Sequence, residues 1–315
     1  MEPINILVTG AAGDIGRGMS KILKEISWVN QIYGMDINEQ FPANYFFNGF
    51  IKGPKITEKS YLSFLEGTIE EFNINMVIPA SEIEIRYFMD NKINRINNIP
   101  ILMASSDVME IGFDKLETAK FLKDNDMPFP ETTKVKNNSN VKLPCIIKSR
   151  DGSGSKTVEL VTENNYEYYK ENFEEWIFQE LILPEEEEYT CGLFKSKLGS
   201  IQKIIFKRVL HGDRTGYAEV VRDTKIENLL DDFCSKLSFQ GSINIQLRMS
   251  NKEIPVIFEI NPRFSSTLVF RHLLGFKDLE WSIKDKINCL EDIEFDIDKI
   301  ANKKIFRSDC EIIYY

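Results

Sequence analysis

The stretch over residues 241–264, GSINIQLRMSNKEIPVIFEINPRF, constrains the fold of this chain more than any other part of the sequence. Two mostly apolar runs rich in β-branched and aromatic residues flank a short polar segment. This pattern predicts strands over residues 242–249 and 254–260, joined by a turn at residues 250–253. The stretch is therefore expected to form a β-hairpin.

Three oxygen-bearing side chains converge on this hairpin. Glu259 and Asn261 share one face of the second strand, because strand side chains alternate with a period of two. Gln246 comes roughly opposite them once the hairpin folds. Hard cations such as Mg²⁺ prefer such oxygen ligands and usually share them with nucleotide phosphates. Arg263 follows and can bind a phosphate or carboxylate. The alternative is a plain hairpin with one acid at its solvent-exposed rim.

Composition and charge narrow the class of protein. The chain has 315 residues, of which 43% are hydrophobic and 28% charged, as in ordinary soluble globular proteins with room for two domains. The net charge of −10 argues against a general nucleic-acid or anionic-membrane surface. Neither a signal peptide nor a transmembrane run is evident. Five scattered cysteines without a CxxC pair suggest reduced thiols in a cytoplasmic protein.

The N-terminal third begins with a βαβ pattern. Apolar runs at residues 4–8 and 32–35 predict strands on either side of a helix that reaches about residue 26. The turn before the helix carries Gly10, Gly13 and Gly16, and Asp36 ends the second strand, a spacing that resembles the dinucleotide loop of short-chain dehydrogenases. These glycines favour a Rossmann-like domain more strongly than they favour bound NAD.

An NAD(P)-dependent short-chain-type oxidoreductase is the alternative that this loop suggests. Such enzymes use a Tyr-x-x-x-Lys pair with an upstream serine, and this chain has Tyr166, Lys170 and Ser153. In those enzymes the pair lies on a long helix after a strand that carries the serine. Here Ser153 lies in a Gly-Ser loop and Tyr166 opens an aromatic and acidic surface stretch, so we interpret the match as coincidence.

Three further segments of this third follow the βαβ pattern. A helix is predicted over residues 61–72, and strands over residues 76–79 and 99–103, the latter being the last of the domain. Four polar residues follow the strand at 76–79. Either they face an acceptor substrate at the carboxyl edge of the sheet, or they form a solvated helix start that the serine caps. The four residues are Ser81, Glu82, Glu84 and Arg86.

A basic residue that leaves a strand into a glycine-rich loop is a plausible phosphate grip. Residues 143–148 predict a strand that ends at Lys148, followed by S-R-D-G-S-G-S-K. Lys148 supplies a point charge, while Gly152 and Gly154 leave backbone N–H groups accessible to phosphate oxygens. A plain hairpin turn is the alternative interpretation of the loop.

Several of these motifs resemble those of the ATP-grasp superfamily. E-I-N-P-R at residues 259–263 resembles its metal-binding motif, and N-I-Q at 244–246 resembles its carbamoyl-phosphate-synthetase-like branch. Three further motifs match in the family's order. They are the opening D-K-x-x-T at residue 114, the Gly-Ser loop, and the strand I-F-Q-E-L-I-L before E-Y-T. The resemblance implies an α/β fold with a Rossmann-like pre-ATP-grasp domain at 1–103. An ATP-grasp α+β domain follows at 104–315, with a small lid subdomain at about 118–180.

The resemblance also implies roles for individual residues, with ATP and Mg²⁺ or Mn²⁺ as cofactors. The resemblance assigns phosphate contacts and charge neutralisation to Lys115, Lys148 and Arg263, and it implies that Lys148 and Arg263 are catalytic. The remaining assignments are the flap residues Gly152, Ser153, Gly154 and Ser155; the adenine hinge Glu180, Leu181 and Ile182; the ribose acid Glu188, whose register within 185–188 stays open; and the metal ligands Gln246, Glu259 and Asn261.

The implied reaction is ATP-dependent ligation of the carboxylate–amine or thiol type. A carboxylate is activated as an acyl phosphate, an amine displaces phosphate, and ADP and phosphate are released. The expected partners are small-molecule carboxylates and amines, with no nucleic acid or membrane, and homodimers are common among such proteins. A non-catalytic ATP-binding protein is a further alternative. Secondary candidates for phosphate or acceptor contacts are Arg208, His211, Arg214 and the helix start at Ser265, Ser266 and Thr267.

Overall fold

The computed structural model describes residues 2–137, 141–152 and 158–308. The strands are β1 (Ile4–Thr9), β2 (Val29–Asp36), β3 (Gly49–Lys52), β4 (Met76–Pro79), β5 (Arg95–Ile96), β6 (Ile99–Pro100), β7 (Thr132–Lys134), β8 (Cys145–Lys148), β9 (Glu159–Val161), β10 (Ile177–Glu180), β11 (Glu188–Lys195), β12 (Ile201–His211), β13 (Arg214–Val220), β14 (Gly241–Met249), β15 (Pro255–Asn261) and β16 (Lys304–Phe306). The helices are α1 (Asp14–Leu23), α2 (Ala43–Phe46), α3 (Tyr61–Glu71), α4 (Glu82–Asp90), α5 (Ser106–Gly112), α6 (Lys115–Asp124), α7 (Tyr166–Asn172), α8 (Thr224–Lys236), α9 (Leu268–Leu273) and α10 (Asp278–Lys286). Within the described ranges, no helix is both long and apolar enough to cross a membrane.

The first sheet is parallel, with strand order β3-β2-β1-β4. Its central strand β1 is apolar and buried because helices cover both faces of such a sheet. The predicted βαβ unit is therefore confirmed. The strand predicted at residues 99–103 is present but shorter: β6 covers Ile99–Pro100 and pairs with β5, and Ile101 continues it only as one parallel bridge to Val77 of β4. Pro100 has no N–H group with which to continue a ladder.

The glycine-rich turn after β1 is closely packed. Gly10 has a φ of +67°, and a Cβ on Gly16 would lie 2.6 Å from the Gly10 carbonyl oxygen. The Ala12 N–H donates to Asp36 Oδ2 at 2.9 Å, which ties the turn to the end of β2. The turn is therefore braced by the acid that would otherwise be available to a ribose.

Two antiparallel sheets make up most of the rest of the described chain. The smaller has the order β7-β10-β8-β9, and the larger has the order β15-β14-β11-β12-β13-β16. The larger sheet packs against α8, whose Phe233 is fully buried in the same cluster as Ile245 and Leu193. The secondary candidates Arg208, His211 and Arg214 lie on one hairpin, because β12 continues to His211 and β13 begins at Arg214.

The N-terminal sheet and the C-terminal helices share one apolar core. Leu268 on α9 and Leu279 on α10 pack in the same cluster as Met19 of α1 and Ile6 of β1. This shared core holds the first sheet against the segment that follows the hairpin β14–β15. The two walls of the intervening cleft are thereby fixed relative to one another.

A buried ion pair fastens the same C-terminal helices to the large sheet. Arg271 and Asp278 are both fully buried, and an Arg271 guanidinium nitrogen lies 3.0 Å from Asp278 Oδ2. Ser242 of β14 donates a hydrogen bond to the same carboxylate. Removing one partner would leave an uncompensated buried charge, so loss of either side chain should destabilise this part of the protein.

Helix starts are capped less uniformly than the sequence suggests. The Asp114 carboxylate accepts from the N–H groups of Leu116 and Glu117, so it caps α6. The alternative in which Ser81 caps α4 is wrong, and the serines before α9 do not cap that helix. The Ser81 side chain makes no cap hydrogen bond, and Ser265 turns inward to donate to Asn244 at 2.9 Å.

Glu84 is the buried acid of α4. Tyr61 donates to Glu84 Oε1 at 2.5 Å, while Oε2 has no hydrogen-bond partner among the described residues. Burial raises the pKa of the Glu84 carboxyl to about 7, and the charge of Asp36 acts in the same direction. Between the unfolded and the folded pKa, the folded protein therefore binds more protons at Glu84 than the unfolded chain does.

We expect Glu84→Gln to become more stable relative to wild type as the pH rises. Glutamine keeps the acceptor for Tyr61 but cannot ionise. The folded pKa lies above the unfolded value, so between pH 5 and 8 wild type should lose about 2–3 kcal/mol of unfolding free energy that the variant keeps. Urea unfolding at pH 5 and 8 measures the difference, with the exposed Glu66→Gln on α3 as control. An identical pH dependence in all three proteins would contradict the assignment.

Candidate active site

The hairpin β14–β15 brings the predicted ligands together as expected. Its register places Gln246 opposite Glu259 and Asn244 opposite Asn261. A register shift between Gln246 and Leu247 marks a β-bulge, which increases the local twist of a strand. The carboxylate and the amides therefore meet at one end of the large sheet.

The donor set of this hairpin suits a hard divalent cation. Asn261 Nδ2 donates to Glu259 Oε1 at 3.1 Å, which orients the amide carbonyl. Glu259 Oε2 and Asn261 Oδ1 make no hydrogen bond to any residue within the described ranges. One carboxylate with amide oxygens fits Mg²⁺ or Mn²⁺ that also takes phosphate oxygens as ligands. These ranges hold no cluster of three or more His, Cys, Asp or Glu side chains that could bind a metal without amides.

Asn244 is a site residue that we did not predict individually. Its Oδ1 accepts from Thr190 Oγ1 and from Ser265 Oγ, both at 2.9 Å, and the side chain is fully buried. It therefore braces the hairpin against β11 and the segment before α9. The period of two from Gln246 was the signal that could have identified it.

Lys148 ends β8 with its side chain buried. Only 4% of the residue is exposed, and it makes no ion pair within the described part of the chain. Its ammonium lies 5.7 Å from the centre of the Phe258 ring. Burial lowers the pKa of Lys148 to about 8, against the opposing charge of Glu259, and Lys115 and Arg248 lower it further. A buried ammonium without a partner is suited to receive an anion.

The predicted flap begins beside Lys115. Lys115 Nζ donates to the Gly152 carbonyl at 2.8 Å, and its backbone N–H donates to the Arg150 carbonyl at 3.1 Å. Arg150 also binds both carboxylate oxygens of Asp114, at 2.9 and 2.8 Å. The start of α6 thus anchors the base of the flap. The other predicted flap residues, Ser153, Gly154 and Ser155, lie outside the described residues.

The predicted hinge lies between β10 and β11. Glu180 ends β10, and its Oε2 accepts from the Glu131 N–H at 3.2 Å, so this side chain is held by backbone. Leu181 is half-buried, and the Ile182 carbonyl accepts from Arg248 at 3.0 Å. Arg248 was missed from sequence, although it lies two residues beyond Gln246.

Glu188 is enclosed by two arginines. Arg208 and Arg248 bind its carboxylate oxygens at 2.6 and 2.5 Å, and the acid is 9% exposed. Burial acts to raise its pKa, but the two guanidinium groups outweigh this effect and lower the pKa of Glu188 below its usual value. Arg208 also donates to Gln246 Oε1 at 2.9 Å.

A cleft of about 1230 Å³ lies between the first sheet and the hairpin. Arg263 crosses it, with Nε and a terminal nitrogen both 3.3 Å from Glu82 Oε2. The cleft brings together residues of both parts of the chain, among them Gly10, Ser81, Glu82, Arg208, His211, Arg214, Gln246, Glu259, Asn261, Arg263, Ser265, Ser266 and Thr267. Lys115, Lys148 and Glu188 do not line it. Lys148 lies near Glu259, and Glu188 reaches Gln246 through Arg208.

The oxidoreductase alternative finds no support in this geometry. Tyr166 stacks on Phe178 in the core of the small sheet, and Lys170 pairs with Glu167 at 3.5 Å. Neither Tyr166 nor Lys170 lines the cleft that contains Gly10. The Asp36 carboxylate accepts from the N–H groups of Ala12 and Asn38. The Tyr–Lys match is therefore coincidental, as expected from its context.

Comparison with known proteins identifies the fold. A family model described as the ATP-grasp domain matches residues 113–267. N5-carboxyaminoimidazole synthetase from Staphylococcus aureus complexed with ADP has a TM-score of 0.73 at 14% identity, covering 90% of this chain and 78% of that chain. L-amino acid ligase from Bacillus licheniformis has a TM-score of 0.69 at 14% identity, covering 93% and 76%. A biotin carboxylase complex from Campylobacter jejuni has a TM-score of 0.71 at 13% identity, covering 95% and 74%. None of the curated proteins matches this chain in sequence.

These similarities confirm the predicted fold class, with its Rossmann-like first part and ATP-grasp second part. The exact boundaries at residue 103 and of the lid at about 118–180 stay predictions. At these identities the likeness to solved structures establishes the fold alone.

We expect Lys148→Met to stabilise the nucleotide-free protein while it weakens binding of MgATP. The substitution removes the cost of a buried ammonium, so the unfolding free energy at pH 7 should rise by about 1–3 kcal/mol. It also removes a charge that would meet phosphate. Melting temperatures with and without MgATP measure both effects, and the exposed Lys142→Met serves as control. If Lys148→Met is destabilised and MgATP raises its melting temperature as much as that of wild type, the proposed role of Lys148 is wrong.

Proposed function

We propose that this protein, which carries an ATP-grasp domain at residues 113–267, is an ATP-dependent ligase that joins a carboxylate to an amine. The carboxylate oxygen attacks the γ-phosphorus of ATP, giving an acyl phosphate and ADP. The amine then attacks the acyl carbon and phosphate leaves. An unactivated carboxylate is a poor acyl donor, so ATP supplies the leaving group while the protein mainly aligns the reactants and neutralises charge.

The observation that carries the proposal is the convergence of Gln246, Glu259 and Asn261 beside Arg263 in one cleft. The three oxygen-bearing side chains would hold Mg²⁺ or Mn²⁺, which when bound would neutralise charge on the phosphates. Arg263 presents a planar set of donors that suits a carboxylate or phosphoryl oxygen. Its ion pair with Glu82 holds the guanidinium across the cleft.

The lysines would act on the triphosphate side. Lys148 is buried without an ion pair among the residues described, and Lys115 adjoins it at the base of the flap. Each would offset negative charge as the γ-phosphoryl group is transferred. No side-chain nucleophile is required by this sequence of steps.

The wall formed by the first sheet would receive the second substrate. Gly10, Ser81 and Glu82 line this wall at the carboxyl edge of a parallel sheet, where open α/β sheets bind ligands. Small-molecule carboxylates and amines are thus the proposed partners. A cytoplasmic location and a homodimer also belong to this proposal, and light scattering of the purified protein tests the dimer.

Thermal-shift titration with MgATP, in parallel with NADH and NADPH, tests nucleotide binding. A ligand at a hundredfold its dissociation constant stabilises by about 2.7 kcal/mol, so MgATP alone should raise the melting temperature of wild type. Asn261→Ala should reduce this shift, because it removes a metal ligand. Asn251→Ala, in the exposed turn of the same hairpin, should behave as wild type. Stabilisation by NADH or NADPH instead of MgATP would overturn the ligase proposal.

Phosphate release tests turnover and separates a ligase from a non-catalytic ATP-binding protein. Wild type should release phosphate from MgATP when supplied with pairs from a panel of amino acids and small carboxylates. We expect Arg263→Met to lose about 100-fold or more in rate, since it removes a donor aimed at developing charge, while it still binds MgATP. An Arg263→Met variant with the wild-type rate would show that this residue is dispensable for the chemistry.

A further inference from the structure

We propose that a second cavity of this protein, beside the candidate active site, binds a small monocarboxylate with an apolar body. The second cavity is separate from the cleft described above, although Arg263 lines both. The inference goes beyond the proposed function and does not depend on it.

The second cavity lies between α4, α5, α10 and the start of β14. Its volume is about 500 Å³, which falls within the range of about 300–1,000 Å³ that small-molecule sites occupy. The Ser105 N–H donates to the Gln240 carbonyl at 3.1 Å, and the Gln240 N–H donates to Ser105 Oγ at 3.1 Å. These two hydrogen bonds tie the start of α5 to the start of β14, so that two walls of the cavity are held together.

Part of the lining is apolar. Met89, Ile93 and Met103 line the second cavity and are half-buried, so each keeps some of its surface open. The buried Ile85 and Met109 also line it and pack with Met89 and Met103 in one cluster. Methionine side chains are flexible and adapt to apolar groups of different shape. This part of the cavity therefore suits a hydrocarbon chain or an aromatic ring.

Another part of the lining is basic. Lys197 and Lys286 come together there, because Lys197 Nζ donates to the Lys286 carbonyl at 3.4 Å and to Asn288 Oδ1 at 2.8 Å. Within the described part of the chain, neither lysine forms an ion pair, and the Lys286 ammonium has no hydrogen-bond partner. Burial lowers the pKa of Lys286, and the positive charges of Lys197 and Arg95 lower it further. An anion bound here would offset this repulsion.

The balance of charge around the second cavity favours a ligand with a single negative charge. Among the described residues, three lysines and two acids line it: Lys92, Lys197, Lys286, Glu110 and Asp285. Arg263 adds no free charge, since it pairs with Glu82 in the neighbouring cleft. One positive charge therefore stays unbalanced. This suits a carboxylate better than a phosphate monoester, whose charge at neutral pH is close to −2.

One of the two acids is already held by the backbone. Both carboxylate oxygens of Asp285 accept from the Lys197 N–H, each at 3.2 Å. Asp285 thereby fixes the position of Lys197 beside the end of α10. The basic part of the cavity is thus built by the fold and needs no ligand to assemble it.

Calorimetry without nucleotide tests the class of ligand, with octanoate as the probe. Octanoate should bind wild type with one equivalent at saturation. Octanamide, which has the same chain but no charge, should bind at least about 10-fold more weakly, because it cannot form charged contacts with the lysines. Propionate, which has the charge but a short chain, should also bind at least about 10-fold more weakly. Equal affinities for octanoate and octanamide overturn the proposal.

Variants of the lining test the site. Lys286→Met keeps the length of the side chain but removes its charge, and should weaken octanoate binding by about 10-fold or more. Lys284→Met is the matched control on the same helix, because Lys284 pairs with Glu280 at 2.8 Å and does not line the cavity. Lys197→Met is a second variant, on an exposed side chain, and should also weaken binding. Wild-type affinity in both Lys286→Met and Lys197→Met overturns the proposal.

Methyl NMR of methionine-labelled protein locates the bound octanoate. Met89, Met103 and Met109 line the second cavity, whereas Met35 lines the neighbouring cleft. Octanoate should shift methyl resonances of the first three and leave that of Met35 in place. A shift confined to Met35 would place octanoate in the cleft and overturn the second site.

Failure of this inference can be told from failure of the proposed function. The octanoate titration contains no nucleotide, so absence of octanoate binding refutes the second site and leaves the ligase proposal intact. Absence of MgATP binding refutes the ligase proposal, while octanoate binding that depends on Lys286 would still support the second site.

Discussion

The pairing register of β14 with β15 is the constraint on which the rest of the site depends. It sets Gln246 against Glu259 and Asn244 against Asn261, so that these oxygen-bearing side chains from two strands meet at one sheet end. A slip of one residue would move every side chain of the strand to the opposite face. The bulge after Gln246 and the hydrogen bonds from Thr190 and Ser265 to Asn244 hold this register.

The second requirement is that the first sheet and the hairpin β14–β15 keep a fixed position relative to one another. The segment after the hairpin carries Arg263 to Glu82 and then enters α9, which packs on α1 of the first sheet. Burial of apolar surface holds these helices in place, and the buried Arg271–Asp278 pair links α9 to α10. A cleft with Ser81 and Glu82 on one wall and Glu259 and Asn261 on the other follows from this packing.

The candidate site is rich in positive charge, although the protein as a whole carries a negative net charge. The chain carries a net charge of −10, yet Lys115, Lys148, Arg208 and Arg248 all lie around the hairpin and hinge. Two of these cations are matched by Glu188, whereas Lys148 is buried without an ion pair among the described residues. An unpaired buried charge costs stability, which is the expected signature of a group that awaits an anionic ligand.

Local pattern determined much of this protein. The alternation in residues 241–264 was enough to predict the hairpin and its converging ligands, and the glycine spacing at Gly10–Gly16 was enough to predict the parallel first sheet, because both depend on neighbours in the chain. Only the tertiary structure decided that Asp36 braces the glycine turn, that Lys148 is buried, and that Glu188 lies between two arginines. The partners of Glu188 come from strands 20 and 60 residues away, and no local periodicity encodes which strands become neighbours in a sheet.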